Sequence, residues 1–133
     1  MNNTERFIAQ FYQSIGKSRP EQISIESVSV RLNLSVHFWS HSSAMTQFKG
    51  KYRLFINETL NEQQQWQDFG HEMYHFFFDN ECYDVLKETY ASYGETKADY
   101  FAYHFCVPTF MLMQLKEVSV YVITNLFNVE YDF

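Results

Sequence analysis

The stretch WQDFGHEMYHFFF, residues 66–78, places two histidines and a glutamate in the middle of an aromatic run. Asn61 followed by Gln64 matches a capping box, so the sequence predicts a helix that begins there and continues through the aromatic residues. Residues four apart lie on one face of a helix, so His71 and His75 would lie side by side. Burying two histidines and a glutamate inside an apolar face costs free energy unless these side chains have polar or charged partners.

His71, Glu72 and His75 form an HExxH pattern, which suits a zinc site. Two imidazoles four residues apart can reach one ion at ~2.0–2.1 Å, and the carboxylate beside the ion can take a proton from water. With five histidines and eleven glutamates in the chain, chance would produce this pattern in on the order of 1–2% of such sequences. The alternative is that both histidines are hydrogen-bonded core residues.

A catalytic zinc site needs a third protein ligand, which should come from another element. We predict a further helix over ETKADYFAYHFCV, beginning near Gly94, in which Glu95 and Asp99 lie one turn apart. Glu95 is expected to be the metal ligand, and Asp99 the carboxylate that accepts a hydrogen bond from a ligating imidazole. Two alternatives stay open: the acids are simply solvated at a helix start, or His104 is the third ligand or a substrate-facing donor.

A second histidine pair, His37 and His41, has the same spacing but no glutamate between its members. The neighbouring residues favour a strand, in which these two would stand roughly 13 Å apart. We interpret them as ordinary polar positions.

Three other segments are predicted to be helical. Residues 4–16 carry apolar residues at helical spacing, with Thr4 as the N-cap and Gly16 as the stop. Residues 20–33 favour a helix, although their β-branched residues leave an extended chain open. Pro108 should end the helix that carries Glu95, and the apolar tail after it is expected to be partly helical.

The strands are predicted on either side of residues 42–50. LSVHFWSH (34–41) and KYRLFINETL (51–60) alternate and are rich in strand formers, and Gly50 is the expected turn. The pair predicts a small antiparallel sheet. Together with the helices it indicates an α+β fold, with several helices packed on that sheet, in one domain over residues 1–133.

Composition excludes several classes of function. The 133-residue chain carries a net charge of −6, with no basic patch, so nucleic acid is not the expected partner. No segment resembles a signal peptide or a membrane span. The two cysteines, Cys82 and Cys106, are expected to be ordinary thiols of a protein in a reducing cytoplasm.

GHEMYHFFF followed by ETKADYFAYHFCVP resembles the ImmA/IrrE family of small zinc-dependent metallopeptidases, whose members show HExxH and then a Glu-x-x-Ala-Asp/Asn-x-Phe-Ala segment closing on a proline. The likeness covers most of residues 20–128. It implies a zincin-like domain in which Zn²⁺ is bound by His71, His75 and Glu95, with Glu72 as the general base of peptide hydrolysis.

The resemblance also implies a partner. Members of the family are known for cutting helix-turn-helix repressors of mobile elements, so the expected substrate is a repressor protein encoded by a prophage or mobile element. Two departures are visible: FCVP stands where the family often has Leu-Leu-Met-Pro, and the C-terminal segment is short relative to relatives, which puts substrate docking by that segment in question.

Two further points stay open at this stage. A donor for the tetrahedral oxyanion is needed, and Tyr93, Tyr103 or His104 could supply it. The alternative function is that of a metal-stabilised regulatory protein that binds its partner without cutting it, for which the aromatic ending with Phe127, Tyr131 and Phe133 would supply an interface.

Overall fold

The computed structural model of the chain describes residues 2–78 and 87–133, without the side chains of Phe48 and of residues 87–95. Six helices and three strands occur in this part of the chain, with a 3-10 turn at Pro20–Gln22. In chain order they are α1 (Asn3–Ser14), α2 (Ile25–Leu32), β1 (Ser35–Trp39), β2 (Ala44–Phe48), β3 (Lys51–Asn57), α3 (Glu62–Phe78), α4 (Lys87–Cys106), α5 (Thr109–Leu112) and α6 (Val120–Phe127). The predicted α+β fold class is confirmed.

The first helix begins earlier than predicted. Asn2, and not Thr4, is the N-cap: its side chain accepts from the Glu5 backbone N–H, and the Glu5 carboxylate accepts from the Asn2 N–H. This capping box satisfies two N–H groups that would otherwise lack partners. The helix ends at Ser14, and Gly16 follows with φ +75°, as expected for a residue that stops a helix.

The three-stranded sheet is mixed, so the prediction of an antiparallel sheet is wrong. β3 lies in the centre, paired in parallel with β1 and antiparallel with β2. The segment taken as a connection contains β2, which turns into β3 through Lys49 and Gly50, both at positive φ. A two-residue turn joins antiparallel neighbours, so β2 occupies one edge of β3. β1 pairs with the other edge of β3.

The two long helices differ in how well they were predicted. α3 begins after Asn61, whose side chain accepts from the Gln64 N–H at 2.8 Å while the Gln64 side chain accepts from the Asn61 N–H at 3.2 Å, so the predicted capping box is confirmed. The predicted break at residues 79–80 lies outside the described residues. α4 begins at Lys87 and not near Gly94. A glycine inside a helix costs only ~1 kcal/mol relative to alanine, and the rest of the helix outweighs that cost.

The core lies between the sheet and the pair α3 and α4. Leu54 and Ile56 of β3 are fully buried against Phe69 and Met73 of α3. The phenylalanine run at the end of α3 packs α1 onto the helix pair; Phe77 lies edge-on to both Phe7 and Phe11 of α1. Among the helices that the structure describes, none has the length and apolar character needed to cross a bilayer.

Candidate metal centre and the adjoining pocket

The HExxH residues all lie on α3, where they occupy neighbouring positions. The imidazole rings of His71 and His75 have their centroids 5.2 Å apart. The His71 side chain is 19% exposed, and Glu72 is buried, with 8% of its surface accessible. The two imidazoles therefore lie side by side on α3, and the neighbouring Glu72 is largely shielded from solvent.

Asp99 of α4 contacts the first of these histidines. Its Oδ1 lies 2.8 Å from Nδ1 of His71. An ionised carboxylate can only accept, so Nδ1 is the protonated nitrogen of this ring and donates to Asp99. In the neutral imidazole the proton is then absent from Nε2, which is the nitrogen that a metal ion would use.

Gly70 allows α3 and α4 to approach closely at this point. A Cβ added to Gly70 would lie 2.9 Å from Sγ of Cys106 and 3.4 Å from both Cα and Cβ of Ala102. A larger residue at position 70 would force one of these neighbours to shift, and the residue that follows Gly70 is His71. The close approach of the two helices is what brings His71 within hydrogen-bond distance of Asp99.

The Cys106 thiol belongs to this helix contact. It is fully buried and donates to the Trp66 carbonyl over 3.4 Å. Burial raises the pKa of Cys106 well above its usual value, although a hydrogen bond with the Gly70 backbone opposes the shift. The thiol is therefore protonated and packs between α3 and α4, in agreement with the expectation of an ordinary cysteine. Cys82 lies outside the described residues.

Of the other predicted site residues, some lie outside the described side chains and His104 lies outside the pocket beside His71. The side chains of Glu95 and Tyr93 lie outside the described residues, so the third ligand stays a prediction. Among the side chains that the structure does describe, no three His, Cys, Asp or Glu form a group able to hold a metal ion. Within the same part of the chain, His104 contacts Tyr100, with ring centroids 4.8 Å apart, and does not line the pocket beside His71.

Tyr103 does line that pocket. The pocket has a volume of about 300 Å³, and its lining residues come from α3, α4 and the segment after α6. They are Gln67, Asp68, His71, Asp99, Ala102, Tyr103, Asp132 and Phe133. Its volume is at the lower end of the range for sites that bind small ligands.

The segment after α6 is fixed to α3 by a reciprocal pair of hydrogen bonds. The Glu130 N–H donates to Oε1 of Gln67 over 2.8 Å, and Nε2 of Gln67 donates to Oε1 of Glu130 over 3.3 Å. Gln67 lies one turn before His71. These contacts were not predicted, because nothing local in the sequence relates the tail to the central helix.

Asp68 links the sheet to the same region of α3. Its Oδ2 accepts from the Ser43 hydroxyl over 2.6 Å, and the Ser43 oxygen accepts from the Asn57 N–H over 2.9 Å. The last residue of β3 is thereby connected to the turn of α3 that precedes the two histidines.

Comparison with known proteins gives consistent matches. A family model described as "IrrE N-terminal-like domain" (Peptidase_M78) matches residues 17–133. The chain is 31% identical over 116 residues to "Phage-like element PBSX protein XkdA" of Bacillus subtilis (strain 168), covering 87% of this chain and 59% of that protein. It is 29% identical over 114 residues to "Uncharacterized protein YqaB" of the same organism, covering 86% of this chain and 66% of that protein.

The chain thus spans about three fifths to two thirds of the length of these relatives. No solved structure matches the chain.

Proposed function

The chain belongs to the IrrE N-terminal-like domain family of peptidases, and from that premise we propose that it is a zinc-dependent metallopeptidase of the HExxH type. The observation that carries the proposal is the pair of imidazoles on one face of α3, with the Asp99 carboxylate 2.8 Å from Nδ1 of His71. A carboxylate in this position orients a ligating histidine in many zinc sites.

The described donors fit a zinc ion in their chemistry. Neutral imidazole is a preferred ligand of zinc, and the hydrogen bond from Nδ1 of His71 to Asp99 leaves Nε2 without a proton and able to bind a metal ion. His71 and His75 would hold the ion together with Glu95, and the fourth position would be left for water or substrate. A bound zinc ion supplies Lewis acidity and lowers the pKa of water toward neutrality.

Glu72 is the residue proposed to move protons. It follows the first histidine on α3 and is shielded from bulk solvent. It takes a proton from the attacking water and returns it to the leaving amine, as general base and then general acid. Tyr103, exposed at the pocket rim, is the described candidate for donating to the oxyanion; Tyr93 and His104 stay as alternatives.

The proposed substrate is a repressor protein of a prophage or mobile element. The support is the similarity to a protein whose name places it in a phage-like element, together with the net charge of −6, which favours encounter with a basic DNA-binding protein. Such a role belongs in the cytoplasm and involves neither direct nucleic-acid binding nor a membrane. It would make the chain a regulator of transcription by proteolysis.

The test is co-expression with candidate repressors taken from the same genomic neighbourhood. The wild-type chain should produce a cleaved repressor fragment, and Glu72→Gln should abolish the fragment while leaving zinc content unchanged. Glu117→Gln is the matched control, because it makes the same chemical change at an exposed position outside the pocket. Intact repressor with the wild-type chain and every candidate would refute the proposal.

A metal-stabilised binding protein is the second candidate, and exposed apolar side chains near the end of the chain favour it. Tyr121 and Tyr131 are each 77% exposed and Met113 is 76% exposed, and such residues are common at interfaces. The same Glu72→Gln variant separates the two functions. A binding protein keeps its cellular effect after this change, whereas a peptidase loses it.

A further inference from the structure

The segment 128–133 crosses from α3 to α4 and closes one side of the pocket beside His71. Asn128 leaves α6 at φ +55°, and Val129 is buried with 5% of its surface accessible. Glu130 is fixed to Gln67 by the two hydrogen bonds described above. Phe133 then lies against Tyr103 of α4, edge to face, with ring centroids 4.9 Å apart. We name residues 128–133 the strap.

The lining of this pocket has two distinct parts. One is the aromatic wall formed by Tyr103 and Phe133. The other is polar and carries the carboxylates of Asp68, Asp99 and Asp132, and no lysine or arginine is among the described lining residues. The Asp132 carboxylate makes no hydrogen bond or ion pair within the described part of the chain, which omits the side chains of residues 87–95.

A planar cation can interact with both parts of the lining, the aromatic rings and the carboxylates. A guanidinium group stacks on aromatic faces and donates to carboxylates in its own plane, whereas a neutral or anionic side chain gains only one of these interactions or is repelled. The pocket is open, since Tyr103 is 46% exposed, so solvent weakens the attraction. The expected selectivity is therefore several-fold.

We propose that the pocket between the strap and the α3–α4 pair binds an arginine side chain of the protein substrate, and that Asp132 and Phe133 determine this specificity. The inference rests on the proposed function in one respect, because it places the bound arginine on the substrate. It assigns the strap, which carries none of the HExxH chemistry, a role in substrate selection next to His71.

The test measures binding separately from hydrolysis. N-acetyl-arginine amide and N-acetyl-citrulline amide are titrated into the full chain, and backbone amide shifts are followed by NMR. Citrulline matches arginine in shape and lacks its charge. The arginine compound should bind about fivefold more tightly, with the largest shifts at Ala102, Tyr103 and Phe133.

Two variants locate the binding. Asp132→Asn should bring the affinities for arginine and citrulline to within about twofold of each other, and Phe133→Ala should weaken the binding of both compounds. Glu117→Gln removes one negative charge outside the pocket and should leave the ratio unchanged. Equal affinity for the two compounds in the wild-type chain, or a ratio that Asp132→Asn does not alter, would overturn the inference.

The outcome is separable from that of the repressor experiment. Selective arginine binding without cleavage of any repressor would support the pocket and refute the peptidase. Cleavage of a repressor without arginine selectivity would support the peptidase and refute the assignment of the pocket.

Discussion

The Gly70→Ala substitution tests whether α3 packs closely on α4 at the position before His71. The added Cβ would lie 2.9 Å from Sγ of Cys106 and 3.4 Å from two atoms of Ala102. Cys106 is fully buried and cannot turn away without losing its contact with the Trp66 carbonyl. Overpacking of this kind costs about 2 kcal/mol, within a range of 1–3, while alanine in place of glycine stabilises a helix by about 1 kcal/mol.

The expected net effect is a loss of about 1 kcal/mol in the free energy of unfolding. Urea denaturation followed by far-ultraviolet circular dichroism measures it, and the midpoint should fall by roughly 0.5 M. Cys106→Ala removes the closest contacting atom, so Gly70→Ala should be neutral or stabilising in that background. The coupling energy of the double-mutant cycle should be about 1–2 kcal/mol. Equal effects of Gly70→Ala in both backgrounds would refute the packing argument.

Two further predictions concern stability. Ser29 is buried, and its hydroxyl has no hydrogen-bond partner among the described residues, so Ser29→Ala should raise the free energy of unfolding by about 0.5–1 kcal/mol. Ser27→Ala is the control, because it removes a donor to the Gln22 carbonyl and should lower the free energy of unfolding. A urea titration in which Ser29→Ala is the less stable of the two variants would contradict the prediction. The Thr109 hydroxyl donates to Glu5 and, with the Asn2 backbone N–H, lowers the pKa of Glu5 below its usual value of 4.5. This contribution to stability is complete above pH 4.5 and disappears as the pH falls through the folded-state pKa of Glu5. The stability difference between wild type and Thr109→Val should therefore shrink between about pH 7 and pH 3, and an unchanged difference would contradict the prediction.

Local signals predicted the elements that position the motif. The capping box at Asn61 and Gln64 placed the start of α3, because side-chain to backbone hydrogen bonds depend on residues close in sequence. Helical spacing likewise placed His71 and His75 on one face. A hydrogen bond from a ligating imidazole to Asp99 was expected from the motif spacing, and in the structure Oδ1 of Asp99 lies 2.8 Å from Nδ1 of His71.

Features that depend on distant residues were predicted less well. The order and direction of the strands follow from which segment forms β2, and alternation alone could not distinguish a strand from a connection there. The start of α4 was misplaced because Gly94 was taken as a boundary, although tertiary packing can offset a single glycine.

The strap and its hydrogen bonds to Gln67 were not predicted from the sequence. Their contacts span 63 residues, and no local pattern relates the two segments. A glycine directly before the first histidine was the one available signal of close helix packing, since a glycine inside a helix often has a packing reason.

The most direct test of the account is the zinc content of the purified chain, measured by titration against a chromophoric chelator. Wild type and Glu72→Gln should each bind one zinc ion per chain, His75→Ala should bind none, and Asp99→Asn should bind about 10–100-fold more weakly. Glu95→Gln tests the third ligand in the same assay and should also lose tight binding. A wild-type chain that takes up no zinc, or a His75→Ala variant that binds it as tightly as wild type, would contradict the proposed metal centre.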